Sequence, residues 1–170
     1  MVYTAKGGFK KWGDGLEQCM MAYSFIRMGH RNVFLLDGEM DKWVKENRPV
    51  SKKFPDVDPT DLKIDVQNDY YVDIETVKNL LKDDGAVILD AHPLSFYTGE
   101  EGPWIKNSHI PSSISFLWPD LMTSKNRKRL KPINEIMEKE ENTGITKDKQ
   151  VIYSCGTGRE ATNEFTILKH

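Results

Sequence analysis

Two short apolar runs, each followed by a turn and a helix-like stretch, constrain the fold of this chain more than any other feature. The runs are "AVILD" (86–90) and "QVIYS" (150–154). Apolar strands that alternate with helices along a chain are typical of parallel sheets whose two faces are both covered. The sequence therefore predicts an α/β protein that has a parallel sheet with helices on both faces.

The remaining elements follow from helical spacing and from residues that favour helix boundaries. Asp73 is expected to cap the first helix of the rear half, and Gly29 to end the first helix of the front half. The predicted helices are 16–28, 39–47, 74–84, 132–142 and 160–170, and the further predicted strands are 2–5, a buried strand at 32–38, and one that follows the proline turn in 108–116.

An internal repeat divides the chain. Residues 2–5 ("VYTA") resemble 152–155 ("IYSC"), and a predicted helix follows each copy. Residues 51–69 are polar and contain two prolines, which indicates a linker. We therefore expect residues 1–50 to be the C-terminal part of one unit and 70–170 to be a second unit that lacks its closing segment. Such a chain is a fragment of a longer protein, or it is a permuted or domain-swapped unit completed by missing segments or a second chain.

Charge and cysteine content exclude several classes of protein. The formal net charge of -2 argues against a nucleic-acid binder, and the basic run 125–131 is expected to be a solvated loop. The two cysteines, Cys19 and Cys155, form no disulfide framework, so a cytoplasmic protein is expected. Apolar runs are too short to cross a membrane.

Cys155 is the candidate functional residue because of where it stands. It follows the apolar run at 150–154, and ligand crevices of α/β sheets lie at the carboxyl ends of the strands. Gly156 and Gly158 would let backbone N–H groups approach the sulfur, and a helix beginning near Glu160 would direct its positive end there. This arrangement predicts a lowered thiol pKa and an anion-binding loop, and hence a nucleophile.

The two cysteines allow two other interpretations. A cysteine at the end of an apolar strand is often just a small buried hydrophobe, and Cys19, within a helix rich in methionine, fits that role. A cysteine phosphatase would need an arginine six positions after its nucleophile, where this chain has Ala161. The six residues from Cys155 to Glu160 form a loop that suits one sulfur atom better than a tetrahedral phosphate.

Four segments together resemble the rhodanese (sulfurtransferase) family, in particular its tandem-domain branch. They are "AVILDAHPLSFYTGE", "SHIPSSISF", "YSCGTGREAT" and, in the front half, "MGHRNVFLLDGEMDKW". The resemblance implies an enzyme in which Cys155 takes a sulfane sulfur from thiosulfate or 3-mercaptopyruvate, becomes a persulfide and passes the sulfur to cyanide, a thiol or a protein acceptor. It implies no metal and no organic cofactor.

The resemblance also implies roles for the residues around the thiol. Arg159 is expected to recognise the anionic donor, Lys106 stands near a substrate-binding arginine of relatives, and His92 replaces the usual arginine and is expected to be structural, as is His109. Ala5 in the front unit cannot carry a persulfide. The loop residues expected to bind the sulfur donor are Gly156, Thr157, Gly158 and Glu160.

Two alternative functions stay open at this point. The chain could be a non-catalytic rhodanese-like module that binds a protein partner, or Cys155 could be a redox-sensing thiol. Treatment with a sulfur donor separates them from an enzyme, because only a sulfurtransferase would then carry sulfur that cyanide removes.

Overall fold

The structure is a computed structural model that describes residues 1–4, 15–61, 63–82 and 85–169. Its helices are α1 (Leu16–Arg27), α2 (Glu39–Lys45), α3 (Ile74–Leu80), α4 (Leu94–Thr98), α5 (Ile133–Glu141) and α6 (Arg159–Leu168), with short 3-10 helices at Asn68–Tyr70 and Trp118–Leu121. Its strands are β1 (Ala86–Asp90), β2 (Ile114–Ser115), β3 (Met122–Thr123), β4 (Asn126–Leu130) and β5 (Gln150–Ser154). This is the predicted α/β architecture.

The central sheet has the strand order β2-β1-β5, and both strand pairs are parallel. Asp90 at the end of β1 pairs with Ser115 on one side and Ser154 on the other. The carboxyl ends of all three strands therefore meet at one edge of the sheet. The chain leaves β1 at Ala91 and β5 at Cys155, so these two residues emerge side by side, and His92 and Gly156 follow them.

Helix boundaries follow the predicted signals. The side chain of Asp73 accepts a hydrogen bond of 2.8 Å from the backbone N–H of Thr76, which caps α3. Gly29 follows the end of α1 with φ +92°, a left-handed conformation that glycine adopts without strain. Both boundary predictions are confirmed.

The hydrophobic core lies between the central strand β1 and the helices packed against it. Leu89 and Phe116 are fully buried, and Ile136 of α5 and Ile167 of α6 pack in the same cluster. Leu16 of α1 is 1% exposed and belongs to this cluster as well. The front half of the chain therefore contributes directly to the core of the rear half.

Helix α1 lies against α6 through polar contacts as well. Asn163 Nδ2 donates to Cys19 Sγ at 3.3 Å, and Thr166 Oγ1 donates to the Cys19 carbonyl oxygen at 3.3 Å. Cys19 is 1% exposed, and burial raises the pKa of its thiol to about 12. It is the buried structural cysteine that the sequence predicts.

Two strand predictions in the front half are wrong. Residues 32–38 form no buried strand, since Phe34 is 64% exposed and Leu35 makes only an isolated parallel bridge with Val2. The predicted strand at 2–5 is likewise reduced to this bridge among residues 1–4, and Ala5 lies outside the described residues. Apolar residues alone do not make a buried strand, because burial needs neighbours on both sides, and within the described part of the chain this segment has only the bridge to Val2.

The basic run at 125–131 is mostly exposed to solvent, as its charge predicts, but it is a strand rather than a loop. Residues of this run form β4, which pairs antiparallel with β3. Lys128 Nζ lies 2.6 Å from the fully buried Glu39 at the start of α2, and its side chain is only 13% exposed. The Lys128–Glu39 ion pair therefore connects this largely solvated strand to the front half.

Candidate functional site

The loop between β5 and α6 holds the Cys155 sulfur with backbone amides. Cys155 follows β5, and Gly158, with φ +81°, precedes the first residue of α6. The N–H of Gly158 donates to Sγ at 3.1 Å, and the N–H of Ala161 donates to it at 3.4 Å. The helix N-terminus and the loop therefore offer two donors to negative charge on this sulfur.

The thiol is nevertheless not acidified. Burial raises the pKa of Cys155, the amides of Ala161 and Thr157 oppose this rise, and the nearby Glu160 carboxylate adds to it. The predicted lowering of the pKa is wrong, because the sequence shows the amide cradle but not the burial of the sulfur within it. At neutral pH the resting residue is mainly the thiol, so a thiolate needs help to form.

One side of the cradle is closed by aromatic rings. A Cβ added at Gly156 would collide with the ring of Trp104 and would lie 3.2 Å from His92 Nε2. The ring of Trp104 in turn packs edge-on against His92, with centroids 5.1 Å apart, and against Phe96. Only a glycine fits at position 156, so the loop is shaped by residues far away in sequence.

His92 is oriented by Asp90. Oδ1 of Asp90 lies 2.7 Å from His92 Nδ1 and also accepts a 3.0 Å hydrogen bond from the His92 backbone N–H. Asp90 is 1% exposed and the His92 side chain is 14% exposed. The carboxylate therefore fixes both the turn after β1 and the plane of the imidazole ring.

Arg159 and Lys106 occupy different surroundings. Arg159 Nη2 forms a 3.1 Å ion pair with Glu17 of α1, and both side chains are 23% exposed. Lys106 is exposed, two residues after Trp104.

The loop residues Thr157 and Gly156 are exposed, whereas Glu160 is half-buried beside the thiol. The structure thus gathers the loop residues around Cys155 and ties Arg159 to the front half.

A cavity that the sequence did not reveal runs along β5 to the thiol. Its volume is about 340 Å³, and Cys155 and Gly158 lie in its wall. Tyr23 of α1, Tyr70 and Phe165 line it, and the Phe165 ring packs edge-on against both tyrosines. The "NDYY" sequence before α3 was the available signal, but nothing in it indicates that these rings face β5.

Other residues singled out in the sequence are structural. His109 stacks on Tyr97 with ring centroids 3.9 Å apart, and its Nδ1 lies 2.7 Å from the Tyr97 carbonyl oxygen. In the part of the chain that the structure describes, no helix is long and apolar enough to cross a membrane, and no group of His, Cys, Asp or Glu side chains is arranged to hold a metal ion.

Comparison with known proteins identifies the family of the rear half. Residues 73–170 match the family model "Rhodanese-like domain". A protein of Synechococcus elongatus, named as a candidate thiosulfate sulfurtransferase, is 32% identical over 164 residues, covering 92% of this chain and 51% of the relative. Human 3-mercaptopyruvate sulfurtransferase is 22% identical over 139 residues, covering 80% of this chain and 46% of its own length. The chain spans about half the length of the curated relatives it matches.

Solved structures share the fold. The crystal structure of a 3-mercaptopyruvate sulfotransferase from Escherichia coli matches with a TM-score of 0.75 at 20% identity, covering 92% of this chain and 58% of that one. An anaerobic ergothioneine biosynthesis enzyme from Chlorobium limicola matches with a TM-score of 0.79 at 19% identity, covering 99% of this chain and 43% of that one. Both comparisons include the front half as well as the rear half.

Proposed function

Because the chain belongs to the rhodanese-like domain family, we propose that it is a sulfurtransferase that carries sulfane sulfur as a persulfide on Cys155. The observation that carries this proposal is the pair of backbone amides, from Gly158 and Ala161, directed at Sγ. These N–H donors are preorganised to stabilise negative charge on Sγ, which is the thiolate that attacks the donor and the leaving group when the persulfide gives up its outer sulfur. The relatives that carry the names of sulfurtransferases support the same class of reaction.

The reaction divides into two displacements at sulfur. In the first, the Cys155 thiolate attacks the outer sulfur of thiosulfate, a new S–S bond forms, and the old S–S bond breaks with its electron pair leaving on sulfite. In the second, cyanide or an acceptor thiolate attacks the outer sulfur of the persulfide, and the Cys155 thiolate is restored. A covalent intermediate of this kind gives ping-pong kinetics.

Donor recognition is assigned to positive charge beside the loop. Arg159 begins α6 next to the cradle, and its guanidinium is partly buried in an ion pair with Glu17 of α1. Lys106, exposed after Trp104, would meet the anionic end of thiosulfate or 3-mercaptopyruvate as a point charge. Gly156, Thr157 and Glu160 would complete the donor site, since they surround the sulfur.

The two halves of the chain are assigned different parts. Residues 70–170 would carry the chemistry, and residues 1–50 would act as a scaffold joined to them by the linker at 51–69. The contacts of Leu16, Cys19 and Glu17 with the rear half support this division, because they place α1 against the core and beside α6.

The test is a thiosulfate:cyanide sulfurtransferase assay on three proteins. The unmodified chain should produce thiocyanate, and Cys155→Ser should reduce the rate to background because serine cannot form a persulfide. Cys19→Ser is the matched control and should keep the activity, since Cys19 lies buried between α1 and α6. A folded but inactive wild-type protein would reject the enzyme and favour a binding module, and equal loss in both variants would reject the site.

A further inference from the structure

Strand β5 forms an edge of the central sheet beside the cavity that leads to the thiol. Within the part of the chain that the structure describes, β5 pairs with β1 on one side and has no strand on the other. All five residues of β5 line the cavity, whose volume is about 340 Å³. Successive residues of a strand point to opposite faces, so a cavity that touches all five lies along the free edge.

The hydrogen bonds to β1 leave backbone groups of β5 directed at this cavity. The Gln150 N–H donates to the Gly85 carbonyl oxygen at 2.9 Å, and the register that follows bonds the even-numbered residues of β5 to β1. The N–H and C=O groups of Val151 and Tyr153 therefore point away from β1. A row of such groups along a sheet edge is a template for the addition of another strand.

The walls of the cavity suit a strand with large apolar side chains. The rings of Phe165 and Tyr153 lie with their centroids 6.1 Å apart, and Tyr23 and Tyr70 pack edge-on against Phe165. Of the described residues that line the cavity, only Asp69 is charged. An apolar strand would gain burial here, whereas a charged peptide would lose its hydration without finding partners.

The front half of the chain carries an apolar segment, "VFLL" (33–36), that lacks such neighbours. The Val2 N–H donates to the Phe34 carbonyl oxygen at 2.6 Å, and the Leu36 N–H donates to the Val2 carbonyl oxygen at 3.0 Å. The segment therefore already runs parallel to the front copy of the repeat, and the backbone groups of Leu35 point away from Val2. Phe34 is 64% exposed, so the segment has apolar surface left to bury.

We propose that residues 33–36 of a second copy of this chain add to the free edge of β5 as a parallel strand. The end of β5 belongs to the rear copy of the repeat, and 33–36 already pairs in parallel with the front copy. Within one chain the segment does not line the cavity, and Asp37, which follows it, accepts a 3.1 Å hydrogen bond from the Leu130 N–H of β4. The segment that fills the cavity therefore comes from another copy.

The arrangement closes on itself as a dimer. Each copy offers one edge and one segment, so two copies exchange them reciprocally about a two-fold axis. The net charge of -2 per chain is small, so repulsion between the copies is weak. The added strand would run towards the edge of the sheet where Cys155 lies and would form the open wall of the cavity beside it. This dimer does not rest on the proposed function, because strand addition requires no sulfur transfer.

The experiment combines the molar mass in solution, from light scattering over a concentration series, with amide hydrogen exchange followed residue by residue by NMR. Phe34→Glu places a charge in the added strand. Phe54→Glu is the matched control, because Phe54 is 96% exposed in the linker and lies outside both the segment and the cavity. Exchange at Val151 and Tyr153 reports the free edge of β5, and Ile152, whose N–H faces β1, is the internal reference.

The wild type should be a dimer that Phe34→Glu weakens by at least about tenfold, since the new carboxylate would enter an apolar cavity, and that Phe54→Glu leaves unchanged. The amides of Val151 and Tyr153 should exchange at least about tenfold faster in Phe34→Glu than in the wild type, with Ile152 slow in both. A wild type that stays monomeric, or a dimer that the two variants affect equally, would overturn the proposal. So would unchanged exchange at Val151 and Tyr153, because the copies would then meet through another surface.

Discussion

The two copies of the internal repeat, at residues 2–5 and 152–155, differ in what surrounds them. In the rear unit β5 pairs with β1 in a parallel sheet and leads through Cys155 into α6. In the front unit, among the residues that the structure describes, Val2 pairs only with Leu35, and α1 is the element that packs into the core. Sequence similarity between the units therefore does not ensure equal structure. The pairing of β5 with β1 in the sheet, more than the sequence similarity between the units, creates the candidate site at Cys155.

The largest expected effect tests whether the core of the rear half depends on α1. Leu16→Ala should lower the free energy of unfolding by about 2–5 kcal/mol, because Leu16 is 1% exposed within the rear core. Chemical denaturation measures it. Phe34→Ala, at a side chain 64% exposed in the same half, is the control and should change stability by less than about 0.5 kcal/mol. Equal effects of the two substitutions would contradict the packing of Leu16 in the rear core.

Much of the rear half follows from the sequence, and the reasons are physical. Local sequence patterns predict the strands β1 and β5 and the helix cap at Asp73. The hairpin at β3 and β4 does not, because the five basic residues in 125–131 hide a strand whose Lys128 pairs with the distant Glu39. At 32–38 the sequence predicts a buried strand that the structure does not contain, because the apolar residues of this segment lack neighbours to bury them.

Some features of the candidate site can likewise be predicted from the sequence, and others cannot. The order of cysteine and glycines predicts a loop whose amides reach the sulfur, and Gly158 and Ala161 make those hydrogen bonds. The raised pKa of Cys155 and the wall formed by Trp104 depend on residues brought together by the fold. Burial and contacts between distant segments leave no local pattern, so the sequence alone could not give them.

A second prediction compares two glycines of the same loop. Gly156→Ala should lower sulfur transfer by at least about tenfold and stability by about 1–3 kcal/mol, because its methyl group collides with Trp104. Gly158→Ala is the control: open space surrounds it, so only its φ of +81° resists the change, at about 1 kcal/mol. Activity assays and thermal unfolding check both. If Gly158→Ala proves the more damaging, backbone conformation rather than the aromatic wall shapes the loop.

The smallest effect concerns the ion pair between the units. Glu17→Gln should change stability by less than about 1 kcal/mol, because the pair with Arg159 is partly exposed to solvent. It should still alter the KM for thiosulfate by a few fold, since Glu17 positions the guanidinium beside the loop. Steady-state kinetics at low salt measure the change. An unchanged KM would show that the front unit does not influence the donor site.

The central claim is that Cys155, and not the other cysteine, carries the transferred sulfur. The most direct measurement is the mass of the Cys155 peptide after the folded protein has reacted with thiosulfate and been digested without reductant. We predict the added mass of one sulfur atom on this peptide, none on the Cys19 peptide, and loss of the added mass on treatment with cyanide together with an equal amount of thiocyanate. A Cys155 peptide that stays unmodified, in a folded protein whose Cys155 still reacts with iodoacetamide, would contradict the account.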